Sequence, residues 1–374
     1  MEIVLETSIY IFIIGFYTIL LLVLLYKLAK DNFSVPYLTL IPLFGILGGI
    51  FAILHMSDIL PSFLYLDTII LALELIFWGF QFFFLYLFLE YLSTPRPHNM
   101  RMLCAFGLFL LQIFSHLLII WFELISSSKS DNIWLLADIG YNNLAFFSLI
   151  FGIYTYYKVY HDTREKRAAG FIIGLSLAFI GFIFHSLVDY IGFFSTLPEF
   201  LEEIGFLGDI LPMFGLFVFI ATYLYDLNYI YRLHGDHLLL LVTYKNGLAI
   251  HSIEFECGSN IKIEENFFSG FISSLSFVFD KVLKSKYPLE SISSKDETIM
   301  IRSGKKILVI FLTRNPTSIL MKAMDKYIQF FEERFCNELE REELEISKFR
   351  SAKDLIKPIF PFLKVRETQE IPFL

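Results

Sequence analysis

The sequence predicts an all-α membrane bundle of seven helices followed by one C-terminal α+β domain. Hydrophobic residues make up 56% of the chain, with 44 Phe and 20 Tyr, and nearly all of that excess lies before residue 230. The mean hydropathy of +0.62 is more than a soluble chain of this size carries evenly. Beyond residue 230 charged residues become frequent, and short strands and amphipathic helices replace the apolar runs. The expected division is a membrane domain over 1–230, a linker over 231–236, a soluble domain over 237–343 and a basic amphipathic tail over 344–374.

A spanning helix needs roughly 20 predominantly apolar residues. Stretches of that kind fall at 7–29, 36–57, 67–92, 101–125, 134–160, 168–191 and 205–229. The first is read as a span and not as a cleaved signal peptide. Its apolar run from Ile9 to Tyr26 is too long, no basic residue precedes it, and no small-residue cleavage site follows. Gly45, Gly48 and Gly49 in the second span allow close helix approach, and Pro42 is a potential kink. Short loops join every neighbouring pair, which predicts a sequential up-down bundle.

Orientation follows from the loops. Lys27 and Lys30 follow span one, Arg96 and Arg101 follow span three, Lys158, Arg164, Lys166 and Arg167 follow span five, and Arg232 follows span seven. On the other side Lys129 is the basic residue, against Glu2, Glu6, Glu199, Glu202 and Glu203. The positive-inside rule then puts the N-terminus outside and the soluble domain in the cytoplasm of a multi-pass plasma-membrane protein.

Composition also excludes functions. A formal charge of -8 leaves no electrostatic footprint for nucleic acid. Cys104, Cys257 and Cys336 lack paired spacing and read as reduced, buried thiols. There is no Gly-rich phosphate loop, no His-Glu-x-x-His, no Gly-x-Ser-x-Gly and no Cys-x-x-Cys. The expectation is a protein without catalytic residues or cofactor.

Polar side chains within the spans crowd towards the outer side. Glu74 and Gln81 lie seven apart on span three, Gln112 and His116 on span four, Asn142 and Asn143 on span five, and His185 and Asp189 four apart on span six. Charges in hydrocarbon are costly and normally face the bundle interior. Glu74, Gln81, His116, Asn142, Asn143, His185 and Asp189 are therefore candidates for an outward-facing pocket holding a small molecule or an ion. The competing reading is interhelical hydrogen bonding without ligand. For Asp58, Asp67, Glu123, Asp138, Asp189 and Asp209 it is capping of helix ends among headgroups. His55, His116, His185 and Asp189 are also the ligand types zinc takes, so an intramembrane metal-dependent hydrolase using His116, His185 and Asp189 is the alternative function. The His-x-x-x-His pair of seven-span intramembrane hydrolases is absent.

The soluble part reads as strand, strand, helix, three strands, helix. Leu238–Tyr244 and Leu248–Glu256 form a hairpin across Lys245-Asn246-Gly247. A helix follows near Glu265–Lys284, then strands near 289–293, 297–302 and 306–313, the last two joined by Ser303-Gly304. Asn315 as N-cap and Pro316 in the first turn open a helix to about Glu343, with Ile319, Leu320, Met324, Tyr327, Ile328, Phe331 and Phe335 on its apolar face. This order, with the opening hairpin Leu239 to Leu248, resembles the longin and roadblock domains of the profilin-like class. The resemblance covers 237–343 and implies a platform that binds small GTPases or trafficking partners, with no active-site residues to carry over. A PAS-like sensor has a similar sheet but a different element order. In span count and orientation the membrane part resembles the seven-helix input regions of prokaryotic signalling proteins, yet no kinase module follows. In the tail, Lys348, Arg350, Lys353, Lys357, Lys364 and Arg366 alternate with Ile346, Phe349, Leu355, Ile356, Ile359, Phe360 and Phe362. That segment suits either an anionic lipid surface or packing back on the soluble domain. The function expected is a receptor-like or scaffold protein that senses a small ligand or ion and recruits a cytoplasmic partner such as a small GTPase.

Overall fold

The computed structural model describes residues 2–30, 36–56, 64–94, 96–126, 131–194, 199–225, 237–255, 265–278, 289–294, 297–341, 345–363 and 365. The predicted linker, Lys129, Arg232, Asp58 and Cys257 lie outside them, as do the side chains of Lys27, Lys30, Asp189, Asp209, Glu199, Glu202 and Glu203. The chain forms two compact units, Met1–Glu90 with Pro97–Leu227, and Tyr91–Arg96 with Asn228–Leu374.

The first unit holds seven long helices: α1 (Glu2–Lys30), α2 (Pro36–Met56), α3 (Leu64–Ser93), α4 (Asn99–Ser126), α5 (Asp131–Thr163), α6 (Lys166–Phe194) and α7 (Glu199–Tyr225). Among the described residues α2 to α6 are long and apolar enough to cross a membrane, while α1 and α7 contribute the shorter apolar stretches Tyr10–Tyr26 and Phe214–Tyr225. In each of the five, less than half of the apolar window is buried by protein, and the remainder presents residues such as Leu103, Phe114, Leu118, Trp121 and Leu124 outward. Such a surface is stable against hydrocarbon and costly against water.

Neighbouring helices run antiparallel, as the short loops predict. Tyr17 faces Gly45 and Ile14 faces Gly49 between α1 and α2. Phe44 stacks on Phe80 at 4.8 Å, and Phe51 on Phe77 at 5.3 Å, between α2 and α3. Phe83 stacks on Phe109 at 4.4 Å between α3 and α4. His116 meets Trp134 between α4 and α5, and Tyr156 stacks on Phe171 between α5 and α6. Between α6 and α7 the backbones nearly touch, because a Cβ on Gly215 would stand 2.4 Å from the carbonyl oxygen of Gly174. The aromatic residues thus do more than ring the helix ends. Many form stacks at mid-helix, where edge and face contacts each add about 0.5–1.5 kcal/mol beyond area burial.

At the other end of α3, Glu90 is 1% exposed. Its carboxylate accepts from the His98 amide at 2.7 Å and from Arg101 at 2.9 Å. The thiol expectation needs correction: Cys104 and Cys336 are exposed. Cys104 shares the outward face of α4 with Leu103 and Phe106, and on its own helix Cys336 is passed over for burial in favour of Leu339.

In the second unit β1 (His237–Tyr244), β2 (Ala249–Glu254), β3 (Ser291–Ser293), β4 (Thr298–Ser303) and β5 (Ile307–Thr313) form one antiparallel sheet in the order β2-β1-β5-β4-β3. The hairpin turn needs Gly247 at φ +95°, a left-handed conformation that glycine adopts without a Cβ clash. α8 (Glu265–Phe277) covers one face, where its Ile272 packs with Leu239, Leu241, Ile301, Leu308, Ile310 and Leu312 of the sheet. α9 (Ser318–Arg334) buries Ile319, Leu320, Ala323, Met324, Tyr327, Ile328 and Phe331. Its N-cap is Thr317, whose side chain accepts from the Leu320 amide, and not the expected Asn315. The Asn315 amide instead donates to Thr313 Oγ1 at 3.1 Å, which keeps that residue in the turn.

α9 ends at Arg334, short of the expected Glu343, and a brief α10 (Cys336–Leu339) follows. The C-terminal segment, a 3-10 stretch Ile346–Leu355 and α11 (Ile356–Ile359), packs back on its own unit. Phe349 stacks on Phe331 at 5.8 Å and Phe360 on Phe311 at 6.1 Å. Its apolar residues Phe349, Ala352, Ile356, Ile359, Phe360 and Phe362 are buried, while Lys348, Arg350, Lys353 and Lys357 are exposed.

Two predictions follow from this packing. Gly215→Leu should separate α6 from α7 and destabilise the bundle by about 1–3 kcal/mol, read as a lower midpoint of thermal unfolding in detergent. His251 on β2 is pushed down to about 4, chiefly by burial and further by the Lys353 charge. The unfolded chain takes up this proton near pH 6.5 and the native chain only near 4, so stability is full above 6.5 and is lost as pH falls towards 4. The loss is at most roughly 3 kcal/mol. Hydrogen exchange at β2, corrected for intrinsic rates, should show this acid loss in the full chain and a flatter profile in His251→Phe.

Candidate ligand cavity in the helical unit

α3 meets α1, α2, α4, α5 and α6 through side chains. Gln112 of α4 donates to the Leu75 carbonyl at 2.7 Å, and Ser148 of α5 donates to the Phe82 carbonyl at 3.0 Å. Phe82 also meets Phe182 of α6 edge-on at 5.0 Å. Such interhelical hydrogen bonds contribute roughly 0.6 kcal/mol each in a membrane setting, so they fix register more than they supply stability.

With α4 held on one side, another face of α3 looks into a cavity of about 750 Å³ bordered by α1, α2, α3, α5, α6 and α7. Glu74, Trp78, Gln81 and Leu85 step down this face at helical spacing. Glu74 and Gln81 are each 8% exposed, and the Glu74 carboxylate is hydrogen-bonded by the Trp78 side chain. Gln81 donates through Nε2 to the Tyr17 hydroxyl of α1, while its Oε1 is buried and has no hydrogen-bond partner among the described residues. The ring of Trp78 lies 6.3 Å from that of Tyr17. Gly45 and Gly48 of α2 make room for these two rings, since a Cβ at either position would come within 3 Å of them.

The predicted pocket residues divide. Glu74, Gln81 and His185 line the cavity, together with His55 and Asp138. His55 Nδ1 stands 2.8 Å from the Asp67 carboxylate. His116 and Asn142 are buried outside the cavity, with His116 Nδ1 held 2.8 Å from the Gln112 carbonyl. Asn143 is on an exposed face and donates to the Ile139 carbonyl at 2.7 Å. The side chain of Asp189 is outside the described residues. Tyr17 and Trp78 were not singled out from the sequence. The available signal was Tyr10 and Tyr17, spaced seven apart on α1 as Glu74 and Gln81 are on α3.

The polar lining residues His55, Glu74, Asp138 and His185 gather where α2 and α6 end and α3 and α5 begin. Towards the opposite ends the walls are apolar, with Leu20, Leu38, Leu85, Leu149 and Phe219. No Lys or Arg is among the described lining residues. Among the described residues no three His, Cys, Asp or Glu come close enough to hold a metal ion; the side chain of Asp189, which the hydrolase alternative uses, lies outside them. No family model, curated protein or solved structure matches the chain.

Tyr17→Phe leaves the buried Gln81 amide without its acceptor. It should cost about 0.6–1.7 kcal/mol, measured as a lower unfolding midpoint of the detergent-solubilised full chain, with Tyr10→Phe as the comparison.

Proposed function

We propose that this protein is a seven-span membrane receptor-like or scaffold protein. Its bundle holds a small ligand, and its cytoplasmic unit recruits a partner such as a small GTPase. The observation that carries the reading is the cavity, which combines a largely apolar body with a few polar groups at one end, the usual make-up of a small-molecule site. Its volume is far above what a bare ion or proton occupies, which favours a molecule over the ion. The seven-span count rests on the unbroken up-down order of α1 to α7, and the outside N-terminus on the loop charges. The partner half of the reading is supported by the element order of the second unit, a five-stranded antiparallel sheet with a helix between β2 and β3 and another after β5. That is the order that resembles longin and roadblock domains.

The test uses the full chain in lipid nanodiscs. Purified small GTPases from the same proteome should bind it directly, and Leu85→Trp, which fills the apolar end of the cavity, should change that affinity by about fivefold or more. Absence of binding removes the partner half. Binding that is indifferent to the filled cavity makes the bundle an anchor and removes the receptor half.

A further inference from the structure

We infer that the cavity is a site for an organic amine: a ligand with a cationic, hydrogen-bond-donating head held by Glu74, Gln81 and Trp78 and an apolar body extending towards Leu85 and Phe219. This deepens the ligand-site reading above and rests on it.

The head group is set by what the wall lacks and what it offers. The open positions on α3 are acceptors: the Glu74 carboxylate and Gln81 Oε1, the latter buried with no hydrogen-bond partner among the described residues. Leaving such an acceptor desolvated costs about 1–3 kcal/mol, and a ligand N–H group removes that cost. A carboxylate or phosphate would meet Glu74 and Asp138 with no Lys or Arg among the described lining residues to offset the repulsion. Glu74 and Gln81 are seven residues and so about 10.5 Å apart along the helix axis. Trp78 lies between them, with Tyr17 against it, and aromatic faces attract a cation most strongly where water is excluded. A metal cation would need several oxygen or nitrogen ligands around one point, and the described residues provide no such group. An alkyl- or arylammonium needs only one carboxylate, one further acceptor and aromatic walls.

The body follows from the shape. A polar molecule the size of its own head group would occupy only one end of a cavity of about 750 Å³, whereas an aryl or alkyl extension covers Leu20, Leu38 and Leu149 at the other end. Displacing that apolar surface from water contributes roughly 25 cal/mol per Å².

The experiment compares three probes with the same aromatic tail and different heads: 4-phenylbutylamine, 4-phenylbutanol and 4-phenylbutyrate. Binding to the full chain in nanodiscs is measured by equilibrium dialysis, with empty nanodiscs as the partition blank. The amine should bind saturably and about tenfold or more tighter than the other two. Glu74→Gln should lower amine affinity about tenfold and leave the alcohol unchanged. Should Glu74→Gln fail to fold, Gln81→Leu is the second variant: it removes the acceptor, keeps the charge, and should lower the affinity of both the amine and the alcohol. Equal binding of all three heads, or amine affinity unmoved in the folded variants, overturns the amine assignment. If the alcohol or the acid alone saturates, the cavity is still a ligand site and only the amine class falls. If no probe exceeds the partition blank, the ligand-site reading falls with it.

Discussion

A carboxylate and an amide on the inward face of an otherwise apolar helix are the constraint around which the helical unit is built. α3 carries Glu74 and Gln81 at depths where water is scarce, and it is held in register by contacts on every other side. Gln112 and Ser148 bond to its carbonyls, Phe44 and Phe109 pack on its aromatic residues, and Arg101 closes on Glu90. If α3 turned by a quarter revolution, the carboxylate would face hydrocarbon or a packed neighbour, and either is expensive. The helix is therefore determined in rotation as well as in place.

That fixed rotation explains the cavity. Large rings at Phe77, Phe80, Phe83 and Phe84 occupy the faces of α3 that meet α2 and α4. Towards α6 the ring contact of α3 is Phe82 with Phe182. α6 and α7 are drawn tightly to one another, with Gly174 and Gly215 in near backbone contact. Space remains between that close pair and α3, and it is bounded by whichever side chains α3 turns inward. The polar end is built from His55, Glu74, Asp138 and His185 on four helices, and Leu85 of α3 lies with Leu20, Leu38 and Leu149 at the apolar end.

The second unit solves a different problem. Every residue of β5 from Ile307 to Thr313 is buried, so both faces of the sheet need a cover. α8 supplies one. The other is shared by α9 and the C-terminal segment, whose Phe349 and Phe360 interleave with Phe331, Phe311 and Tyr327. The same segment lies against β2 and desolvates His251. Its apolar residues are committed to this core, and the lysines that alternate with them point outward for the same geometric reason.

Much of this was legible in the residues alone. Apolar runs separated by charged loops located all seven helices and their up-down order, because a run of that length has few other stable environments. The succession of strands along the chain was equally plain, since short apolar runs are broken by Lys245-Asn246-Gly247 and Ser303-Gly304, and Gly247 takes a positive φ. Asn315 was misjudged as a cap because Thr317, two residues on, offers the same chemistry, and only the turn geometry after β5 chooses between them. Exposure of Cys104 could not be seen either, as an apolar helix does not declare which face meets lipid. For the site, sequence identified Glu74, Gln81 and His185 as polar residues that must find the interior. It could not separate them from His116 and Asn142, which are equally polar and equally buried but packed outside the cavity. Which of these share a void depends on helix rotation, set by long-range contacts such as Gln112 with Leu75, Tyr17 with Gln81 and Gly174 with Gly215. Local periodicity determined what had to be buried, and only the packing of helices distant in sequence decided what it was buried against.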